Sequence, residues 1–181
     1  MAGRVLRWTA LAWPGWEHLE LVETATGVTA RSVLIGEREG VAYGARYEVQ
    51  LDAAWVFRSL QLELTDRRAL SLAADGQGHW SDEAGKALPA LAGCIDVDLS
   101  GSPFTNTLPL RRASFEGGVP QAFRMAWIPL DSLAPVSDAQ IYTRLGHGRV
   151  RYQSADLSFE RELTVDTDDF VLAYPGLFER V

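Results

Sequence analysis

Apolar and polar side chains alternate along most of this chain with a period of two. Between Val41 and Leu51, Tyr43, Ala45, Tyr47, Val49 and Leu51 fall on one side of an extended segment, while Arg46, Glu48 and Gln50 fall on the other. That is the pattern of a strand with one covered face. Comparable runs span Val56–Leu64, Ala69–Ala73, Cys94–Leu99, Gln121–Ile128, Ala139–Leu145, Arg149–Gln153, Leu157–Val165 and Phe170–Tyr174. Turn signals separate the elements at Thr26-Gly27, Glu39-Gly40, Asp75-Gly76, Ala84-Gly85, Gly117-Gly118 and Gly146-His147-Gly148. Short strands punctuated in this way, with almost no window of helical period, predict an antiparallel all-β architecture.

One segment departs from the alternation. Ser102 suits an N-cap, Pro103 suits the first helical position, and Phe104 and Leu108 lie four apart on one helical face. The spacing predicts a single helix of two turns. Pro109 opposes a longer one, though a proline can also begin a strand. A helix this short does not persist alone and must be buried against something larger, so the sheet is expected to curl around it and leave a hollow, apolar within and polar at its mouth. No linker, repeat or low-complexity tract interrupts the chain, which predicts one domain over residues 1–181.

Composition narrows the function classes. The chain is 47% hydrophobic and 23% charged, enough for a substantial core and ordinary for a water-facing surface. A net charge of -7 argues against a nucleic-acid partner, because phosphate binding needs basic patches. Cys94 is the sole cysteine, so it forms no intrachain disulfide, belongs to no thiol metal cluster, and reads as a small core residue. Met1 to Arg4 lead into no long apolar run before Trp13-Pro14-Gly15, and no later run is long enough to span a bilayer. A cytoplasmic location without signal peptide or membrane span is the expectation.

The densest polar chemistry lies between Gly93 and Arg112. Asp96 and Asp98 are two apart, so their carboxylates share one strand face while Ile95, Val97 and Leu99 take the other. Such a pair can accept hydrogen bonds from sugar hydroxyls, hold a cation, act as acid and base, or simply pair with Arg111 and Arg112. An inward arginine would need Asp96, Asp98 or a ligand anion, since an unpaired buried charge is too costly. Thr105, Asn106 and Thr107 add donors and acceptors nearby, or cap their own backbone. Six tryptophans and five tyrosines could wall an apolar cavity and stack on sugar faces, or be plain core. His18, His79 and His147 lack metal-ligand spacing, and no phosphate-loop, dinucleotide or nucleophile-elbow pattern occurs. No metal, no cofactor and no catalytic residue is expected.

Several blocks together resemble a bacterial family described as putative glycolipid-binding. They are Trp16-Glu17; Tyr47-x-Val49-x-x-Asp52-x-x-Trp55-x-x-Arg58; Asp75-Gly76 with Trp80; Leu91-x-Gly93-Cys94-Ile95-Asp96-Val97-Asp98-Leu99 running into Pro103 to Pro109 and Arg111-Arg112; Pro129; Gln140-x-Tyr142; and Tyr174-Pro175-Gly176-Leu177-Phe178-x-Arg180. The resemblance implies a spiral β-roll, a many-stranded antiparallel sheet around one helix similar to lipoprotein-carrier half-barrels, and a homodimer. It also implies a glycolipid or other amphipathic ligand. On that basis the expected ligand-binding set is Asp52, Trp55, Arg58, Trp80, Asp96, Asp98, Phe104, Thr105, Asn106, Arg111, Arg112, Gln140, Tyr142 and Tyr174. Non-catalytic binding is the leading expectation. The alternatives are an enzyme acting on a sugar or glycolipid through Asp96 and Asp98, and an interaction module whose cavity its own side chains fill.

Overall fold

A computed structural model of the chain describes residues 3–38, with Arg38 by its backbone alone, and 40–181. The strands are β1 Gly3–Ala10, β2 Gly15–Thr24, β3 Gly27–Arg38, β4 Val41–Asp52, β5 Phe57–Leu64, β6 Ala69–Ala74 and β7 Trp80–Asp82 in the first half. In the second half they are β8 Asp96–Leu99, β9 Gln121–Ile128, β10 Val136–Gly146, β11 Arg149–Ser154, β12 Glu160–Val165, β13 Val171–Tyr174 and β14 Phe178–Arg180. These 14 strands form one sheet in the order β7-β6-β5-β4-β3-β2-β1-β14-β13-β12-β11-β10-β9-β8. Every pairing is antiparallel except β8 with β9. Met1, Ala2 and Glu39 lie outside the described residues, and so, in part, does the turn expected at Glu39-Gly40.

The chain therefore meanders outward from β1 to β7, crosses to the far edge at β8, and meanders back until β14 pairs with β1. The crossing segment rolls the sheet by bringing its two edges together. Gly93 N–H donates to the Gly78 carbonyl at 2.9 Å, and the Trp80 indole N–H donates to the Cys94 carbonyl at 2.8 Å. Gly78 stands at φ +94, and a Cβ there would come within 2.8 Å of the Gly93 Cα, so this seam closes only with a bare backbone at position 78. The outer edge of β7 is covered by Lys86 to Leu88, with the Leu88 N–H donating to the Trp80 carbonyl at 2.8 Å and the Asp82 N–H to the Lys86 carbonyl at 3.0 Å, which blocks pairing with other chains there. Trp80 stacks on Phe57 at 4.8 Å between ring centroids. Replacing Trp80 by phenylalanine keeps the stack and orphans a buried carbonyl, and chemical denaturation should show a loss of about 1 kcal/mol.

Inside the roll lies the predicted short helix, a 3₁₀ turn over Pro103–Asn106 that runs into α1, Thr107–Arg112. Ser102 caps it, its hydroxyl accepting from the Phe104 N–H, with Pro103 in the first turn. Phe104 and Leu108 are both fully buried. On the side of β1 to β8 and the end of β9 the interior is filled by the chain itself: Phe104 and Leu108 belong to one packed cluster with Trp8, Leu19, Leu34, Phe57, Leu60 and Ile128. A second cluster of Leu110, Tyr142, Val150, Tyr152, Leu163, Tyr174 and Phe178 lines the other half, β9 to β14. No helix among the described residues is long and apolar enough to cross a membrane.

Strand positions from Val41 onward follow the alternation closely, while two expectations shift. The run expected over Leu157–Val165 starts as a strand only at Glu160, because Asp156 accepts from the Ser154 and Ser158 hydroxyls and the Ser158 N–H to fix a turn with Leu157 at φ 60. The run expected from Cys94 begins at Asp96, since Cys94 N–H closes the 3₁₀ turn of Pro89–Leu91 onto the Leu91 carbonyl. Strands β1 to β3 carry no clean period, because Glu17 and Ser32 point into the core while Trp16, Val33 and Ile35 stand exposed on the outer face.

Candidate functional site

Asp96 and Asp98 share one face of β8, as their spacing requires, and each is used differently. Asp96 is 0% exposed and accepts from Arg112 through Nε at 3.1 Å and Nη2 at 2.7 Å. Burial holds its carboxyl above the usual range in spite of that guanidinium. Of the two arginines ending α1, only Arg112 reaches this pair. Arg111 points to the far end of the roll, where it lies 4.1 Å over the Trp55 ring and donates to the Asp168 carbonyl at 3.1 Å.

Asp98 sits at the start of a chain of hydrogen bonds. Its Oδ2 accepts from Gln140 Nε2 at 2.6 Å, and its Oδ1 from the Thr105 hydroxyl at 3.0 Å. Gln140 Nε2 also donates to Asp138 at 3.0 Å, and its Oε1 accepts from Tyr142 OH at 3.1 Å. Asn106 Nδ2 in turn donates to Tyr142 OH at 2.9 Å. Burial raises the Asp98 pKa, the hydrogen bonds from Gln140 and Thr105 oppose that rise, and the neighbouring Asp138 adds to it. Asp98 as a residue keeps intermediate exposure, although its carboxyl group is enclosed by these partners.

An aromatic wall leads up to this group. Rings follow one another at 5–7 Å along the inner face: Phe123 to Tyr142 at 5.7 Å, Tyr142 to Tyr152 at 5.3 Å, Tyr152 to Tyr174 at 6.1 Å, Tyr174 to Phe178 at 6.3 Å, and Phe178 to Trp13 at 5.5 Å. The hydroxyls of Tyr152 and Tyr174 make no hydrogen bond to any described residue, whereas that of Tyr142 makes two. Burial first, then the nearby Asp98 charge among others, pushes both phenols well above the usual tyrosine range, so they remain protonated donors.

The registers place Tyr174, Phe178, Ala10, Tyr43 and Leu64 along one end of the roll. At that same end lies a cleft of about 490 Å³, bounded by Trp13, Val41, Tyr43, Leu64, Trp127 and Leu130, with Asp66, Arg68 and Asp131 at its rim. Trp13 belongs to both regions: it stands edge-on to Phe178 and its indole N–H donates to Tyr43 OH at 3.4 Å. A larger concavity, about 650 Å³, lies on the outer face of β2 to β6, lined by outward charges that pair among themselves, Arg31 with Glu48 and Arg46 with Glu63.

The structure thus brings together Asp96, Asp98, Thr105, Asn106, Arg112, Gln140, Tyr142 and Tyr174. It sets Asp52, Trp55, Arg58 and Arg111 apart at the opposite end. There Asp52 Oδ1 accepts from the Ala54 and Val56 N–H groups at 2.8 and 3.0 Å, and its Oδ2 from Arg58 at 2.7 Å. That turn holds Trp55 at φ 63, with its ring against Phe170. Trp80 closes the seam and Phe104 is core. The geometry adds Asp138 and Tyr152 to this group, neither of which is in the expected set. Asp138, Gln140 and Tyr142 repeat at a spacing of two on β10, the same signal that singled out Asp96 and Asp98. Among the described residues no group of three or more His, Cys, Asp or Glu is placed to hold a metal ion.

With this geometry established, comparison with known proteins assigns the chain. A family described as "Putative glycolipid-binding" matches residues 5–180. The chain belongs to this family. It is also similar to the crystal structure of a DUF1089 family protein from Pseudomonas aeruginosa, at 39% identity over 92% of each chain with a TM-score of 0.83. That structure shares the curled, mostly β sheet described above. Comparison with curated proteins finds no match.

Proposed function

We propose that the protein binds an amphipathic small molecule without transforming it, and that a glycosyl head group rests against Asp98, Asp138, Gln140, Tyr152 and Tyr174. The observation that carries this reading is the pair of tyrosine hydroxyls without a hydrogen-bond partner among the described residues, on a wall that ends at the half-buried residue Asp98. Acceptor carboxylates, an amide and flat ring faces are the complement of sugar hydroxyls and the apolar faces of sugar rings. The family description points the same way. Asp96 is wholly buried and committed to Arg112, which favours binding over an Asp96/Asp98 acid–base pair. A homodimer belongs to the same reading, as the family resemblance implies.

Calorimetric titration with decyl maltoside below its micelle concentration tests the reading. Wild-type protein should bind it more tightly than decanol. Changing both Tyr152 and Tyr174 to phenylalanine should weaken binding by about 5- to 100-fold, the worth of two hydrogen bonds, with little change in thermal stability. Equal affinity of wild type and the double variant would remove the head-group site.

A further inference from the structure

The cleft at the Trp13 end has no part in the head-group contacts just described, yet its chemistry is distinctive. Its walls are Trp13, Val41, Tyr43, Leu64, Trp127 and Leu130, and its volume of about 490 Å³ falls within the range of roughly 300–1,000 Å³ typical of small-molecule sites. Val41 is 68% exposed and Trp127 36%, so apolar surface faces water at its lip, an arrangement that costs free energy unless something covers it. The backbone contributes to the space: Gly44 and Gly101 both line it, and a Cβ on Gly44 would meet Thr65 Cγ2 at 2.7 Å, one on Gly101 the Leu130 Cδ1 at 2.9 Å.

Charge at the rim is just as informative. The charged side chains lining the cleft are Asp66, Arg68 and Asp131. Arg68 is engaged by the Asp66 carboxylate, at 2.8 Å from Nε and 2.7 Å from Nη2, and it donates to the Asp131 carbonyl. Among the described residues the one cation at the opening is occupied, and the three charged side chains there sum to a negative charge. A carboxylate or phosphate placed at this lip would find repulsion from Asp66 and Asp131 and no available counter-ion among the described residues. Trp13 joins the two regions, with Phe178 and the tyrosine wall on one side and Tyr43 and the cleft on the other.

We infer that this cleft takes the hydrocarbon portion of the same amphiphile, and that its acidic, internally paired rim selects an uncharged molecule over a fatty acid or an anionic lipid. The inference rests on the reading above and adds a second set of contacts and a ligand class. Trp13 sets the geometry: the polar group lies on its Phe178 face and the chain on its Tyr43 face.

The test uses decyl maltoside, decanol and decanoate, all below their micelle concentrations, against the full chain. The variants are Trp127→Ser and Val41→Glu, both at exposed positions, with circular dichroism melting to show that they fold. Decyl maltoside should bind, with each variant weakening it by about tenfold through lost apolar contact or an added lip charge. Both variants should weaken decanol as well, since it has a chain and almost no head group. Decanoate should bind at least about tenfold more weakly than decyl maltoside to wild type, as expected from like-charge repulsion at the rim. If folded variants bind decyl maltoside as wild type does while the Tyr152/Tyr174 double phenylalanine variant loses it, the head-group reading stands and the cleft assignment falls. Decanoate binding equal to that of decyl maltoside overturns the charge selection. Failure of wild type to bind any of the three probes overturns the head-group reading and the cleft together.

Discussion

Replacing Arg112 by methionine is expected to cost about 3–5 kcal/mol at neutral pH, the usual consequence of leaving one member of a buried ion pair without its partner. Asp96 has no exposure, and every hydrogen bond its carboxylate accepts from a side chain comes from that guanidinium. Its pKa is already raised by burial with Arg112 present, and without the arginine it must rise further. A group whose folded pKa exceeds its unfolded value loses stability as pH climbs from the unfolded to the folded pKa. The variant should therefore lie nearest to wild type around pH 4 and fall away above it. Urea denaturation at pH 4 and pH 7.5 measures both values, and Asp96→Asn added to Arg112→Met should recover much of the loss. If the single variant is as stable as wild type at pH 7.5, the pair is not holding α1 to β8.

The second large effect concerns Glu17, which no cation among the described residues accompanies. Its Oε1 accepts from Tyr47 OH at 2.6 Å, Ser32 Oγ at 2.8 Å and Ser102 Oγ at 2.9 Å, in an interior where Glu17 is 3% exposed. Burial raises its pKa from 4.5 to about 7, with the three hydroxyl hydrogen bonds opposing the rise. The folded form thus binds this proton more tightly than the unfolded chain does. The stabilisation is complete below pH 4.5 and is lost as pH rises through about 7, a difference on the order of 3 kcal/mol at 1.36 kcal/mol per pH unit. Asp96 and Asp98, also raised, slope in the same direction. Carboxylates held low, such as Asp75 and Asp156 at about 2, act in the opposite sense only in more acidic solution. Glu17→Gln should flatten the stability profile between pH 4.5 and 7, and an unchanged slope in that variant would show that the proton resides elsewhere.

These two carboxylates also mark how far the sequence could be read. Period-two alternation from Val41 onward specifies strands because one face of each is buried, and the helix was legible because Ser102, Pro103, Phe104 and Leu108 satisfy cap, first turn and buried face at once. The pairing rule for an inward arginine pointed to Asp96 and Asp98, and the structure selects Asp96 with Arg112. Glu17 was not legible as core, since a lone acid in a strand ordinarily reads as solvent-facing. Only the meeting of β2, β3, β4 and Ser102 supplies the hydroxyls that make its burial tolerable. In the same way, Asp52 and Arg58 look like a ligand-binding pair until the turn that holds Trp55 shows what they stabilise. Strand order was beyond local pattern altogether, because β14 lies beside β1 through contacts spanning nearly the whole chain.

That pairing has a cost during synthesis. On the edge of β1 that faces away from β2, Trp8, Thr9 and Ala10 find their partners among the described residues only in Phe178 to Arg180, so a growing chain on the ribosome carries an open flank on β1 until β14 has emerged. Pairings between such distant segments form slowly, and an unpaired flank is adhesive in the meantime. The nascent protein should thus depend on its charged outward residues, and on chaperones, to keep that flank from joining a neighbouring polysome's product.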